Sequence, residues 1–260
     1  MKESEEEDCR FMMSKNDNRI LHIYYFGEII LFVIIKVTEQ VWREPGQGDP
    51  GVPGSPLAIL RYCAIICNFL MMIYLYLRHG RCLHFRENLI PLAFALTLIA
   101  DFFMCIIPGK RILGYLFFTL VETVYMIYMK PTWRNISVRL ILYAVTLLLL
   151  QRVGMLNADN AFAMANMVQL TVNLPCAWIR RAKIGSREAL LFALGITFFA
   201  GCDYAILVRT IAEQLLSTVH PLYTIAAFIV WSCYIPAQVL LLRSYVENII
   251  TSDKQDACSC

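Results

Sequence analysis

The sequence predicts an all-α fold: a polytopic membrane bundle of eight transmembrane helices with both termini on the cytoplasmic side. Three observations predict it. Apolar residues make up 58% of the 260 positions and charged residues only 17%, against roughly 45–50% and 25% in soluble domains. The apolar residues gather into eight segments of membrane-spanning character, and Lys and Arg gather on alternate connections between them. Mean hydropathy is +0.57. A water-soluble globule of this size could not bury so much apolar surface, which disfavours a soluble enzyme, a disordered chain and a nucleic-acid binder. The net charge of +3 is too small to specify a polyanionic partner.

A bilayer core takes about 20 helical residues. Windows of that kind place the segments at about 20–38, 57–77, 88–107, 112–129, 138–151, 160–179, 188–208 and 222–242. The first carries Glu28 and Lys36, two turns apart on one face, and snorkelling accounts for the lysine. Before it runs an acidic tail (Glu3, Glu5, Glu6, Glu7, Asp8), which reads as solvated and disordered and not as a secretory signal peptide. The stretch from Glu44 to Pro56 is rich in Pro and Gly. It reads as an irregular connector, with a lid over a cavity as the other reading. The fifth segment is short but holds the Leu147–Leu150 run. The remaining connections are mostly short, so residues 20–243 form one bundle between cytoplasmic tails at 1–19 and 244–260.

Charge sets the orientation. Sixteen of the 23 Lys and Arg fall on the two tails and on the second, fourth and sixth connections, and only five (Arg43, Lys110, Arg111, Arg152, Arg209) fall on the opposite face. Basic residues mark cytoplasmic loops, and an even number of spans returns both termini to that side. Six of the ten cysteines lie in or at the ends of segments, where Cys packs as a small apolar residue. The other four, Cys9, Cys82, Cys258 and Cys260, lie on the reducing side, so no disulfide framework is expected. His79, Cys82 and His84 are close in sequence but lack a zinc-ligand spacing. No metal or cofactor is called for.

The two halves resemble each other. Arg86-Glu87 precedes the third segment and Arg187-Glu188 the seventh, an offset of 101. Phe94-Ala-Leu-Thr-Leu-Ile-Ala-Asp101 in the one matches Phe192-Ala-Leu-Gly-Ile-Thr-Phe-Phe-Ala-Gly-Cys-Asp203 in the other, and Asn68 falls opposite Gln169. A tandem repeat of four plus four helices would be parallel, related by an axis along the membrane normal. Asp101 and Asp203 then lie at matching depths, about 20 Å from the cytoplasmic ends of their helices at 1.5 Å per residue. A carboxyl at that depth is expensive against lipid, so both are expected to face a cavity or a partner and to carry function.

Other polar residues within segments fill out the candidate site. Glu122 reads either as a third acid of the same cavity or as the partner of Arg61. Tyr234 and Gln238, one turn apart, offer hydrogen bonds to a ligand or to a neighbouring helix. Asn68 and Gln169 supply amides at equivalent positions. No nucleophile elbow, P-loop or dinucleotide glycine motif is present.

Several of these stretches resemble the lysoplasmalogenase family, the YhhN-like membrane proteins. Gly195-Ile-Thr-Phe-Phe-Ala-Gly-Cys202-Asp203 resembles that family's Gly-apolar-Phe-Ser-Asp stretch, with Cys202 where Ser is usual. Tyr234-Ile-Pro-Ala237-Gln238 resembles its Tyr-x-x-Ala-Gln helix. Ala100-Asp101-Phe-Phe-Met104 resembles a Gly-Asp element with Ala in place of Gly, and Glu122-x-x-Tyr125 a His-x-x-Tyr element with Glu in place of His. Of the family's Lys-Pro pair, Ser55-Pro56 keeps the proline. The resemblance implies an eight-span fold and cleavage of the vinyl ether of lysoplasmalogen, a lipid substrate taken from the bilayer. Asp101 and Asp203 would be the catalytic carboxyls, one a protonated donor and the other ionised. Glu122, Tyr125, Tyr234, Gln238, Asn68 and Gln169 would be the substrate-binding residues. Two other functions fit the residues: a proton- or cation-coupled transporter using the same acids as a relay, and a lipid-binding protein without turnover.

Overall fold

Local chemistry fixes where the helices begin and end. The computed structural model describes residues 14–41, 53–80, 83, 85–215 and 221–258. Most of the acidic tail, residues 44–52 of the first connector, Cys82 and His84 lie outside the described residues. The helices are α1 (Lys15–Val41), α2 (Pro56–His79), α3 (Leu89–Asp101), α4 (Arg111–Tyr128), α5 (Trp133–Arg152), α6 (Ala158–Ile184), α7 (Arg187–Leu215) and α8 (Pro221–Cys258). Ser55 caps α2, its hydroxyl accepting from the Ala58 N–H at 3.1 Å, and Pro56 takes the first helical position, where its missing N–H costs nothing. That is the local reason for the Ser-Pro pair. Thr132 and Asn157 cap α5 and α6 in the same way. Gly185 ends α6 in the left-handed conformation at φ 73°, and Ser186 then caps α7.

Each sequence window falls within a residue of one helix. Among the described residues, seven helices are long and apolar enough to cross a membrane: α1, α2, α3 with the π-helical turn that follows it (Phe102–Ile106), α4, α5, α7 and α8. The remaining helix, α6, has 27 residues but is studded with amides: Asn160, Asn166, Gln169 and Asn173. It packs against α4, α5 and α7, and Asn173, Gln169 and Asn166 are turned to those three helices respectively, whereas Asn160 bonds the Met155 carbonyl of the preceding connector. The protein is an integral, multi-pass membrane protein. Helix α8 continues without a break from residue 244 to Cys258, and Tyr245, Val246 and Ile249 are buried in the core.

Packing follows chain order within each half, α1–α2–α3–α4 and α5–α6–α7–α8. The halves meet where α4 packs on α6 and where α2 packs on α8. Shifting every helix by four exchanges these two contacts, whereas the slighter contacts of α8 with α1 and α3 have no such counterpart among the described residues. The extensive α7–α8 contact buries Phe192, Ile196, Phe199, Leu241 and Tyr245. Gly195 makes the approach possible, since a Cβ there would lie 2.8 Å from Leu241 Cγ. Outer helices α1 and α5 present Ile29, Leu140, Ile141 and Leu148 outward, an apolar surface suited to lipid.

Candidate active site

The third helix delivers Asp101 at its last α-helical residue and then widens into the π turn, a rare geometry that recurs at functional sites. Two cavity-lining residues, Met104 and Cys105, come from this turn. Its Cys105 carbonyl accepts a 2.9 Å hydrogen bond from the Gly54 N–H, tying the end of the first connector to the site. Gly54 has φ 81°, which a side chain would strain. Pro53 beside it also lines the cavity. The described end of that connector therefore borders the cavity.

Asp101 is buried and accepts a hydrogen bond from the Tyr234 hydroxyl of α8. Asp203 of α7 accepts a 2.8 Å bond from Asn166 Nδ2 of α6. The two acids line one cavity of about 590 Å³, together with Tyr234, Asn166, Cys202, Trp231 and Tyr115, and lie within electrostatic reach of each other. Arg61 of α2 reaches the same space. Its Nη2 is 3.7 Å from Glu39 Oε2 of α1, and its guanidinium lies over the Trp231 ring at 4.9 Å. Around the cavity rim stand Pro53, Arg111, Asn157, Asp159, Arg209 and Tyr223, from the ends of helices joined by the first, third, fifth and seventh connections. That is the face poor in Lys and Arg.

Of the eight residues picked from sequence, Asp101, Asp203 and Tyr234 line this cavity and the other five do not. Glu122 is not the partner of Arg61, whose acid is Glu39. Helix α4 turns Glu122 toward α6 instead, where Asn173 Nδ2 donates to its Oε2 at 2.5 Å and to its carbonyl at 2.9 Å. Arg139 of α5 completes this buried cluster, donating to Asn173 Oδ1 at 2.7 Å and to both the carbonyl and the side chain of Gln169. Asn68 accepts from the Tyr24 hydroxyl at 2.5 Å and lies beside Glu28 of α1. Asn68 and Gln169 thus each hold the first helix of their own half. Tyr125 packs edge-on against Phe192, and Gln238 is buried. Lys36 pairs with Glu39 at 3.1 Å and donates to the Phe228 carbonyl at 2.7 Å. Among the described residues no three His, Cys, Asp or Glu side chains converge as metal ligands. His79 Nε2 lies 3.5 Å from Asp17.

Sequence reasoning did not assign Tyr115, Arg111, Asp159, Arg209 or Trp231 to the site. Most stand near helix ends, where polar side chains are ordinary, and no periodicity marks them. Asn166 was visible as an intramembrane amide, but its pairing with Asp203 was not.

A family model, that of the YhhN family, matches residues 60–245. The chain belongs to the YhhN family. Both acids, Asn166 and Tyr234 fall within the matched stretch, which runs from α2 into α8, whereas α1 precedes it. No curated protein and no solved structure matches this YhhN-family chain.

Proposed function

We propose that this YhhN-family protein hydrolyses the vinyl ether bond of lysoplasmalogen or a related lipid, with Asp101 and Asp203 as the acid/base pair. The observation that carries the reading is that two carboxyls, from corresponding helices of the two halves, face one cavity inside a bundle of membrane-spanning helices. Such a cavity suits a lipid entering from the bilayer, and apolar walls with a few convergent polar groups are the usual form of a small-molecule site.

Acid cleavage of a vinyl ether starts with a proton. Its transfer to the alkenyl carbon remote from oxygen makes a C–H bond, consumes the double bond and leaves an oxocarbenium ion. Water then adds to the carbon next to oxygen and gives up a proton to the second carboxylate. The hemiacetal then breaks its bond to the glycerol oxygen as that oxygen takes the proton held on the second carboxyl and the hemiacetal hydroxyl returns a proton to the first, releasing a fatty aldehyde and a glycerophospho-alcohol. One water is consumed and both carboxyls return to their starting states. Asp101, receiving the Tyr234 hydroxyl, suits the ionised role, in which a donor and a negative charge stabilise the developing cation and activate water. Asp203, held through one oxygen by Asn166, has its other oxygen for proton donation.

Mass spectrometry of aldehyde release from lysoplasmalogen, in membranes carrying the protein or its Asp101→Asn and Asp203→Asn variants, tests this. Loss in either variant at unchanged expression is the expected result. Undiminished release in both would end the assignment.

A further inference from the structure

Three amides of α6 point into the bundle, and one of them is only half used. The side-chain oxygens of Gln169 and Asn173 both accept from Arg139. Asn166 differs. Its Nδ2 donates to Asp203 Oδ2 at 2.8 Å and the residue is 4% exposed, but among the described residues nothing donates to its Oδ1. Asn166 also lines the cavity. As the other end of the carboxamide that holds Asp203, Oδ1 stands beside that acid. A carboxamide oxygen is an acceptor with two lone pairs, and burying one unpaired is costly. The group that suits it is a hydrogen-bond donor.

We propose that Asn166 Oδ1 accepts a hydrogen bond from the free hydroxyl on carbon 2 of a lysolipid glycerol, which makes Asn166 a specificity-determining residue. The role of the acids rests on the hydrolase reading, whereas recognition of the hydroxyl is a binding statement of its own. Ligand chemistry selects this group. Diester phosphate oxygens, ether oxygens and ester carbonyls only accept, so none of them can pair with Oδ1. The carbon-2 hydroxyl does donate, and its carbon adjoins the one that bears the ether. A ligand whose ether chain meets Asp203 therefore brings this hydroxyl to the neighbouring amide. When carbon 2 is esterified it has no proton to give, and Oδ1 stays buried and unpaired. Sites built to bind a hydroxyl reject analogues without one for this reason.

Two uncleavable ligands that differ by one oxygen test the proposal: 1-O-alkyl-lysophosphatidylcholine and its 2-deoxy analogue, built on 1,3-propanediol. Each is titrated into full-length protein in detergent micelles. A hydrogen bond to a buried acceptor corresponds to about tenfold in affinity, and the hydroxyl ligand should bind more tightly by at least that factor. Asn166→Ala should bring the two ligands to within about twofold by weakening the hydroxyl ligand. Asn166→Asp keeps an acceptor oxygen at the same place and should retain most of the preference. Equal affinities in the unmodified protein would assign Oδ1 to water and overturn the proposal. So would a preference that survives Asn166→Ala. An Asn166→Asp variant that loses the preference also overturns it, because the bond to Asp203 and not Oδ1 would then carry the effect. An alanine variant that binds neither ligand does the same, since Asn166 would be holding α6 to α7. Failure of aldehyde release would remove the hydrolase reading and leave this binding result standing.

Discussion

At Asp101 and Asp203 the same side chain is held in two ways. A tyrosine hydroxyl from α8 reaches Asp101, and an amide from α6 reaches Asp203. A hydrogen bond to a charged group is worth about 1.5–3 kcal/mol, so Tyr234→Phe is expected to slow aldehyde release by about ten- to a hundredfold. Affinity for an uncleavable alkyl lysolipid should change far less. Steady-state turnover and equilibrium binding, measured side by side, separate the two effects. The acids were legible in the sequence because an ionisable side chain inside an apolar run has few structural excuses. Their partners were not. Tyr234 came from a motif, whereas Asn166 was one of several amides whose direction depends on the rotation of α6. Glu122 read either as a third acid of the cavity or as the partner of Arg61 and is neither, because α4 presents it to Asn173 and away from the cavity.

Among the elements, α5 and α7 show how single residues hold helices in a bundle without help from water. Only one residue of α5 is buried, Arg139, and it binds Gln169 and Asn173 of α6. Arg139→Leu would strand those amides, at about 1–3 kcal/mol for each buried group left unpaired. A lower midpoint of thermal unfolding in detergent is the expected outcome, and an unchanged midpoint would show that the outer helix is held by lipid-facing contacts alone. Gly195 serves the α7–α8 contact by having no side chain. Gly195→Val would press its Cβ on Leu241, 2.8 Å from the Cγ, and overpacking of this kind costs about 1–3 kcal/mol. The same unfolding assay reads it, and a variant as stable as the parent would place the close approach elsewhere. Small residues at helix contacts are a general device inside membranes, which could have marked Gly195. No pattern rule marks the π turn after Asp101.

For the whole molecule, the cavity opens on the face poor in basic residues, between helix ends joined by the first, third, fifth and seventh connections. If both termini lie on the basic-rich side, as the charge asymmetry predicts, epitope tags at either end are expected to be detected in intact cells only after permeabilisation. Detection of one tag without permeabilisation would contradict an even number of crossings and require α6, the least apolar helix, to be reconsidered as a span. Of the contacts between the halves, α2 with α8 and α4 with α6 exchange under the four-helix shift, and those of α8 with α1 and α3 do not. The corresponding amides Asn68 and Gln169 each meet a buried charged residue of the preceding helix, Glu28 and Arg139. A short shared run in the sequence suggested a repeat, and these two contacts and two tethers are compatible with it, with different side chains performing the tethering.

Hydropathy, charge asymmetry and the two isolated acids were enough to define a helical membrane bundle and to single out Asp101 and Asp203. Each of those signals is local, since a bilayer acts on every stretch of about 20 residues independently. Which polar groups share a cavity is not local. It depends on the rotation and spacing of helices far apart in the chain, set by contacts such as Gly195 on Leu241 and Arg139 on Asn173. Only tertiary packing could therefore join Arg61, Tyr115, Asn166 and the arginines of the rim to the two acids, and turn Glu122, Asn68 and Gln169 away from them.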